Sequence, residues 1–301
     1  MNKSTIPPYL KRGDTIGITC PAGALSMTTL DDMCQQLSNW GFKIKLGYTL
    51  GTSYYKFSGT DSVRLNDLQS MLDDDDVKAI LFGRGGYGLV RIIDQIDFTS
   101  FIKSPKWLVG FSDITCLLSH VHTQYNIVSM HAHMSGGYVI SQKDEASTQS
   151  IYDTLVGMST TYILPEHTMN RTGNIAGTIV GGNLALLSDL IGTKSDIDTN
   201  DKILFIEDVG EYLYNIDRML WQLKRAGKLS NLKALLVGGF TDTLDNETPF
   251  GMNPYEIVWE KVQGYAYPVY FDVPVGHQAR NVALKIGANY QIEDHVLISL
   301  S

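Results

Sequence analysis

The sequence is poor in several things, and each shortage argues against a class of protein. Only three cysteines occur in 301 residues, Cys20, Cys34 and Cys116, with no CxxC pair. That argues against a disulfide framework and fits a reducing compartment. No apolar run approaches the roughly 18 residues a membrane helix needs, and residues 1–17 hold no apolar signal core. A cytoplasmic protein is therefore expected. Basic residues are outnumbered, since 24 Lys and Arg against 32 Asp and Glu give a net charge of −8 with no basic block. Neither nucleic acid nor an anionic membrane is an expected partner. Nor is the chain disordered: hydrophobic residues make up 44% and charged residues 19%, close to globular averages. The length suits two domains.

What is present has a clear rhythm. Apolar runs at Thr15–Thr19, residues 42–46, Val77–Phe82, residues 106–111 and residues 127–130 alternate with segments of helical length. That is the pattern of a doubly wound parallel α/β sheet. Leu30, Met33, Leu37 and Trp40 mark the first helix and Gly41 its end; Leu65, Leu68 and Leu72 mark a second. Leu89, Ile92 and Ile93 suggest a third. Residues 73–76, all aspartate, read as a solvated turn or helix end. Residues 159–174 show no period, so the chain is expected to divide into a domain at 1–158, a linker at 159–174 and a smaller domain at 175–301. In that second half, 202–206 and 234–237 read as buried strands, and Leu213, Ile216, Leu220 and Leu223 as a helix. Strict alternation from Val282 to Ile292 reads as a half-exposed strand or hairpin.

Chemistry concentrates at strand ends. Gly83-Arg84-Gly85-Gly86-Tyr87-Gly88 matches GxGxxG, but it follows the third strand, and Asp94 and Asp97 come too soon to hold a ribose. A dinucleotide is not expected; a side-chain-free loop can instead point a backbone N–H into a pocket. Residues 106–111 run straight into Ser112-Asp113-Ile114-Thr115 and a helix, the outline of a nucleophile elbow without its second glycine. Ser112 or Asp113 could equally cap that helix. Of seven histidines, His120 and His122 lie along the helix beyond Ser112, and His167 and His295 have polar neighbours. His131 and His133 could form a metal pair, but no third-ligand motif accompanies them, so no metal and no cofactor are expected. His277 leaves a strand end in Pro274-Val275-Gly276-His277-Gln278, where it could serve as a base. Glu207 or Asp208, ending the run 202–206, could orient it.

Together these loops resemble the LD-carboxypeptidase family of serine peptidases, which includes muramoyl-tetrapeptide carboxypeptidases and microcin C self-immunity peptidases. The likeness runs through Lys11-Arg12-Gly13-Asp14, Pro21-Ala22-Gly23, residues 83–88 and 110–115, Gly181-Gly182-Asn183-Leu184, residues 207–211, Ile216-Asp217-Arg218-Met219-Leu220 and residues 274–277. It implies a flavodoxin-like N-terminal domain, a swivelling β/β/α C-terminal domain, a metal-free Ser-His-Glu triad and a homodimer. By motif, Ser112 becomes the nucleophile, His277 the base and Glu207 its orienter, with backbone N–H groups of Asp113 and Gly86 as the oxyanion hole. The implied substrate is the cytoplasmic murein tetrapeptide of peptidoglycan recycling, cut to release terminal D-Ala. Arg84 and Arg218 are candidates for its carboxylate. One departure is His131-Ala132-His133-Met134, where the family commonly shows His-Gly-Pro-Met. The second half also lacks room for the longer catalytic loop of the immunity branch, which favours the murein branch. The alternatives are a hydrolase of aminoacyl-adenylate-like peptide toxins and a non-catalytic peptidoglycan-fragment binder.

Overall fold

The computed structural model describes residues 4–138 and 144–300. In chain order the elements are β1 (Thr15–Thr19), α1 (Leu30–Asn39), β2 (Lys43–Leu46), α2 (Asp61–Asp73), β3 (Val77–Phe82), α3 (Thr99–Lys103), β4 (Trp107–Gly110), α4 (Thr115–Tyr125), β5 (Ser129–His131) and α5 (Glu145–Leu155). There follow β6 (Thr161–Ile163), β7 (Ile175–Asn183), α6 (Leu184–Asp189), β8 (Lys202–Val209), α7 (Leu213–Arg225), β9 (Ala234–Thr241), α8 (Pro254–Val262), β10 (Val269–Tyr270), β11 (Leu284–Ile286), β12 (Asn289–Glu293) and β13 (Val296–Ser299).

The first sheet runs β2-β1-β3-β4-β5 in parallel, the flavodoxin-like order, with β11 added antiparallel beside β5. Its central strands β1, β3 and β4 are nearly continuous apolar runs buried on both faces, whereas the edge strand β2 is mostly exposed; Leu30, Met33 and Leu37 of α1 are buried as their spacing predicts. In such a sheet ligands bind beyond the carboxyl ends of the strands, where the order reverses between β1 and β3. The second sheet runs β10-β9-β8-β7-β12-β13-β6, parallel through β7 and antiparallel beyond it. Alternation along its strands separates two cores. Leu204, Ile206, Leu235 and Val237 pack under α6, α7 and α8. Ile203, Phe205, Ala234 and Leu236 face the other way and join the core of the first sheet. The two layers meet closely beneath the Ser112 turn: a Cβ on Gly182 would stand 2.5 Å from Thr115 Cγ2, and Asn183 N–H donates to Thr115 Oγ1 at 3.1 Å.

Three expectations are corrected. Residues 89–95 form two 3-10 turns, Leu89–Arg91 and Ile93–Gln95, rather than an α-helix. The alternating run 282–292 is not one hairpin, because the chain turns at Gly287 (φ +86°), leaving β11 in the first sheet and β12 in the second. Within 159–174, Thr161–Ile163 is a strand at the far edge of the second sheet, paired with β13. Helices α5 and α8 lie outside the expected elements; the latter starts with an Asn253/Glu256 capping box and Pro254 at its first position.

Candidate active site

Beyond β4, Phe111 is extended and Ser112 takes φ +60°, a left-handed conformation that costs an L-residue about 1–2 kcal/mol. The strain lifts Ser112 off the sheet at the start of α4, where the first N–H groups of the helical turn have no intrahelical partner. Neither Ser112 nor Asp113 caps the helix with its side chain. Asp113, 1% exposed, instead accepts a bond from Leu89 N–H at 2.8 Å and so ties the Ser112 turn to the glycine loop. Burial pushes its carboxyl pKa up.

The glycine loop is shaped for close approach. A Cβ on Gly85 would lie 2.9 Å from Ser112 Cβ and 3.0 Å from its Oγ. The Gly85 carbonyl accepts from Gly23 N–H at 2.8 Å. In a trans peptide the following N–H points the opposite way, so Gly86, itself at φ +95°, turns its N–H away from Gly23. Arg64, fully buried, braces the loop by donating to the carbonyls of Gly88 and Pro21. The sequence signal it offered was a cation at a core-facing position of α2, four residues before Leu68.

Alternation along β8 sets the two carboxylates on opposite faces. Glu207, fully buried, is on the side of Ile203 and Phe205; Asp208 is on the helix side, held by Asn183 Nδ2 and the N–H groups of Ala185 and Val209. Burial, and then the neighbouring Glu207, push Asp208 up to about 6. Glu207 Oε2 is 2.7 Å from His277 Nδ1 and also accepts from His277 N–H at 3.3 Å. Room for this pair comes from glycine: a Cβ on Gly276 (φ +100°) would stand 2.5 Å from Glu207 Cβ. A bulge sets two residues, Gly238 and Gly239, opposite Glu207 in β9.

Ser112, His277, Gly86 and Arg84 line one cleft of about 1010 Å³ between the two layers. The structure brings His277 and Glu207 into hydrogen bond and places Ser112 in the same cleft without a bond to the imidazole. Phe111 packs on the His277 ring at 4.6 Å between centroids. Arg84, exposed and bonded to Ala24 O, is the one Lys or Arg among the described lining residues, and no Asp or Glu is among them. Arg218 is not brought there; it lies on α7 over the Tyr214 ring, in a separate surface hollow with Trp221. His133 forms part of the cleft wall against Tyr138. His131 is fully buried behind the wall, bonded through Nε2 to Asn281. His120 pairs with Ser195, and burial pushes His122 down to about 4. Among the described residues no three His, Cys, Asp or Glu side chains are grouped to hold a metal ion. Asn281 was missed, and nothing in its sequence surroundings marks it.

A left-handed serine at a strand-to-helix turn, sharing a cleft with an imidazole on a buried carboxylate, is the arrangement of a serine hydrolase. Residues 16–132 match the LD-carboxypeptidase N-terminal domain and residues 176–292 the LD-carboxypeptidase C-terminal domain. The chain is 35% identical over 286 residues to the probable murein peptide carboxypeptidase of Bacillus subtilis, covering 94% of this chain and 89% of the relative. It is 31% identical over 293 residues to the murein tetrapeptide carboxypeptidase of Pseudomonas aeruginosa, covering 94% of each. Among solved structures, the muramoyltetrapeptide carboxypeptidase of Oxalobacter formigenes superposes with a TM-score of 0.85 at 25% identity, covering 94% of this chain and 97% of that one. The chain belongs to the LD-carboxypeptidase family of serine-type peptidases, and it has that family's two-domain α/β architecture.

Proposed function

We propose that this enzyme hydrolyses the bond between the third residue and the terminal D-Ala of a murein tetrapeptide, through Ser112, His277 and Glu207. The reading is carried by the left-handed Ser112 sharing a cleft with an imidazole whose Nδ1 is bonded to a buried carboxylate. Ser112 Oγ attacks the carbonyl carbon of the third residue while His277 Nε2 takes its proton; Glu207 stabilises the imidazolium so formed. The oxyanion develops between the N–H groups of Asp113 and Gly86, each worth about 10²–10³ in rate. His277 then gives its proton to the leaving amine of D-Ala, and water, activated by the same imidazole, releases the acyl group. Arg84, on the loop that supplies Gly86, is positioned to hold the terminal carboxylate. In this reading residues 159–174 divide a half that carries the nucleophile from a half that carries base and carboxylate.

A second reading has one support: the chain is 24% identical over 327 residues to the microcin C7 self-immunity protein MccF of Escherichia coli, covering 96% of this chain and 93% of the relative. Higher identity to the murein carboxypeptidases favours the first. We place the enzyme in the cytoplasm on its three unpaired cysteines and infer the homodimer the family resemblance implies, which sedimentation equilibrium would test. The deciding experiment incubates the protein with an LD-tetrapeptide ending in D-Ala, with and without EDTA, and follows free D-Ala by mass spectrometry. Release that persists in EDTA and is lost in Ser112→Ala is expected. No release, with cleavage of an aminoacyl sulfamoyl adenosine, would move the substrate to the second reading.

A further inference from the structure

His131 is an odd residue for its place. It ends β5, paired with Gly110 on one side and Leu284 on the other, and is fully buried between the edges of Phe111 and Phe205, at 5.6 and 4.9 Å between ring centroids. An apolar side chain would fill such a slot without the cost of burying a polar ring. Its Nδ1 has no partner among the described residues, so as a core residue the imidazole is only half satisfied.

Its one bond goes to the loop that carries His277. Asn281 Oδ1 lies 3.2 Å from His131 Nε2 and also accepts from Gly276 N–H at 2.9 Å. A backbone N–H can only donate, so the atom between them is the amide oxygen, and His131 must carry its proton on Nε2. The Gly276–His277 segment is thereby held from two directions. Asn281 takes the Gly276 N–H and Glu207 takes the His277 N–H, while Val282 N–H closes the neck of the loop on Pro274 O at 2.9 Å. Gly110, the strand partner of His131, is two residues before Ser112.

We propose that His131 is a positioning residue, whose Nε2–H bond to Asn281 fixes the His277 loop against Glu207 and against the strand that presents Ser112. It stays neutral beside Glu207 and His277, because burial pushes it down to about 4, and so acts as a donor of constant strength across the working pH range. The proposal rests on the reading of Ser112, His277 and Glu207 as the reacting groups.

The test uses three variants of the whole chain. His131→Phe keeps a flat ring and removes the donor; His131→Gln sets an amide N–H where Nε2 stands; Asn281→Leu removes the acceptor from the other side, should the first fail to fold. Proton NMR of the labile His277 Nδ1–H, downfield through its bond to Glu207, gives a readout that needs no substrate. In His131→Phe and Asn281→Leu we expect this resonance to broaden or disappear. D-Ala release should lose about 10–100-fold in kcat with KM within about threefold, as a misplacement of a reacting group costs. His131→Gln should restore both. A folded His131→Phe with the resonance and kcat unchanged overturns the proposal, as does His131→Gln impaired as deeply as His131→Phe. A wild type that shows the resonance but releases no D-Ala overturns the substrate alone. A wild type without it overturns the His277–Glu207 pair and, with it, the positioning role.

Discussion

Replacing Glu207 by Gln tests the charge at the centre of the site with almost no change of shape. Glu207 is fully buried, and one of its oxygens accepts both His277 Nδ1–H at 2.7 Å and His277 N–H at 3.3 Å. The other, Oε1, has no hydrogen-bond partner among the described residues. An amide can settle in two ways. With its oxygen toward His277 it keeps both bonds but loses the charge. A unit charge about 4 Å from an imidazolium, at an effective dielectric of about 20, is worth about 4 kcal/mol, or roughly three decades in rate at 1.36 kcal/mol per decade. With its NH₂ toward His277 it forces the proton onto Nε2, and the ring can no longer accept from Ser112; amidation of the buried aspartate in a serine protease triad, which traps the same wrong tautomer, costs about 10⁴. The backbone N–H of His277 opposes that flip. The variant should therefore lose about 10³–10⁴ in kcat, with KM within about threefold and the thermal midpoint nearly kept. Initial rates of D-Ala release from the tetrapeptide, with thermal unfolding followed by circular dichroism, give all three numbers. A loss smaller than tenfold in folded protein would show that Glu207 does not stabilise charge on His277.

Four further outcomes are expected. Gly85→Ala sets a methyl 2.9 Å from Ser112 Cβ and should lower kcat about 100-fold with the fold intact; wild-type kcat would mean that the serine has slack. Asp113→Ala leaves the buried Leu89 N–H without its acceptor, and urea unfolding should show a loss of about 1–3 kcal/mol together with reduced kcat from a loosened glycine loop; loss of stability alone would separate Asp113 from the oxyanion site. Arg84→Gln should raise KM about 10–100-fold, the range of a charged hydrogen bond, and a substrate ending in D-Ala amide should show no further loss; an additive loss would mean that Arg84 does not hold the carboxylate. Stability should fall in acid: His122 and His131, held by burial near 4 against an ordinary 6.5, contribute stability present above about 6.5 and lost as pH falls. Asp208, raised to about 6, contributes in the opposite sense, gaining as pH falls through 6. Burial also lowers His120 and raises Asp113, so from pH 7 to 5 three histidines act against two carboxyls and a net loss of stability is expected; a urea midpoint that does not fall over that interval would contradict the burial.

How far the sequence shows the site depends on whether a residue acts through its neighbours in the chain or across the fold. The strand-to-helix turn at Ser112 is legible because its surroundings are local: an apolar strand, a glycine two residues earlier, a helix soon after. The choice between Glu207 and Asp208 is open in the residues alone, since both end the same strand, and only the family resemblance favours Glu207; in the structure, with Phe205 on the shared core and Ile206 under the helices, the pleat puts Glu207 on the His277 side. The helix expected after Gly88 failed for a related reason. Leu89, Ile92 and Ile93 have helical spacing, but Asp113 and Arg64 claim the backbone of residues 88 and 89 from outside, and tertiary bonds override a short local preference. Arg218 belongs to a motif that resembles the family's, yet motif membership says only that a residue is near others in sequence; its ring contact and its hollow lie away from the cleft.

The residues that could not be read at all are those that join the two layers. Asn281 has meaning only because β11 leaves the C-terminal half and pairs with β5, which sets it beside His131, 150 positions earlier. That one strand pairing places the His277 loop next to the strand that leads into Ser112. A one-residue slip would turn Leu284 and Ile286, both packed in the shared core, to the opposite face of the sheet. Apolar burial therefore fixes the register of β11 far more strongly than any hydrogen bond in the cleft could fix it. The site thus inherits its geometry from packing: the hydrophobic alternation of β11 and β8 sets where the imidazole and carboxylate stand, and the polar contacts of His131, Asn281 and Gly276 need only hold the last turn of the loop.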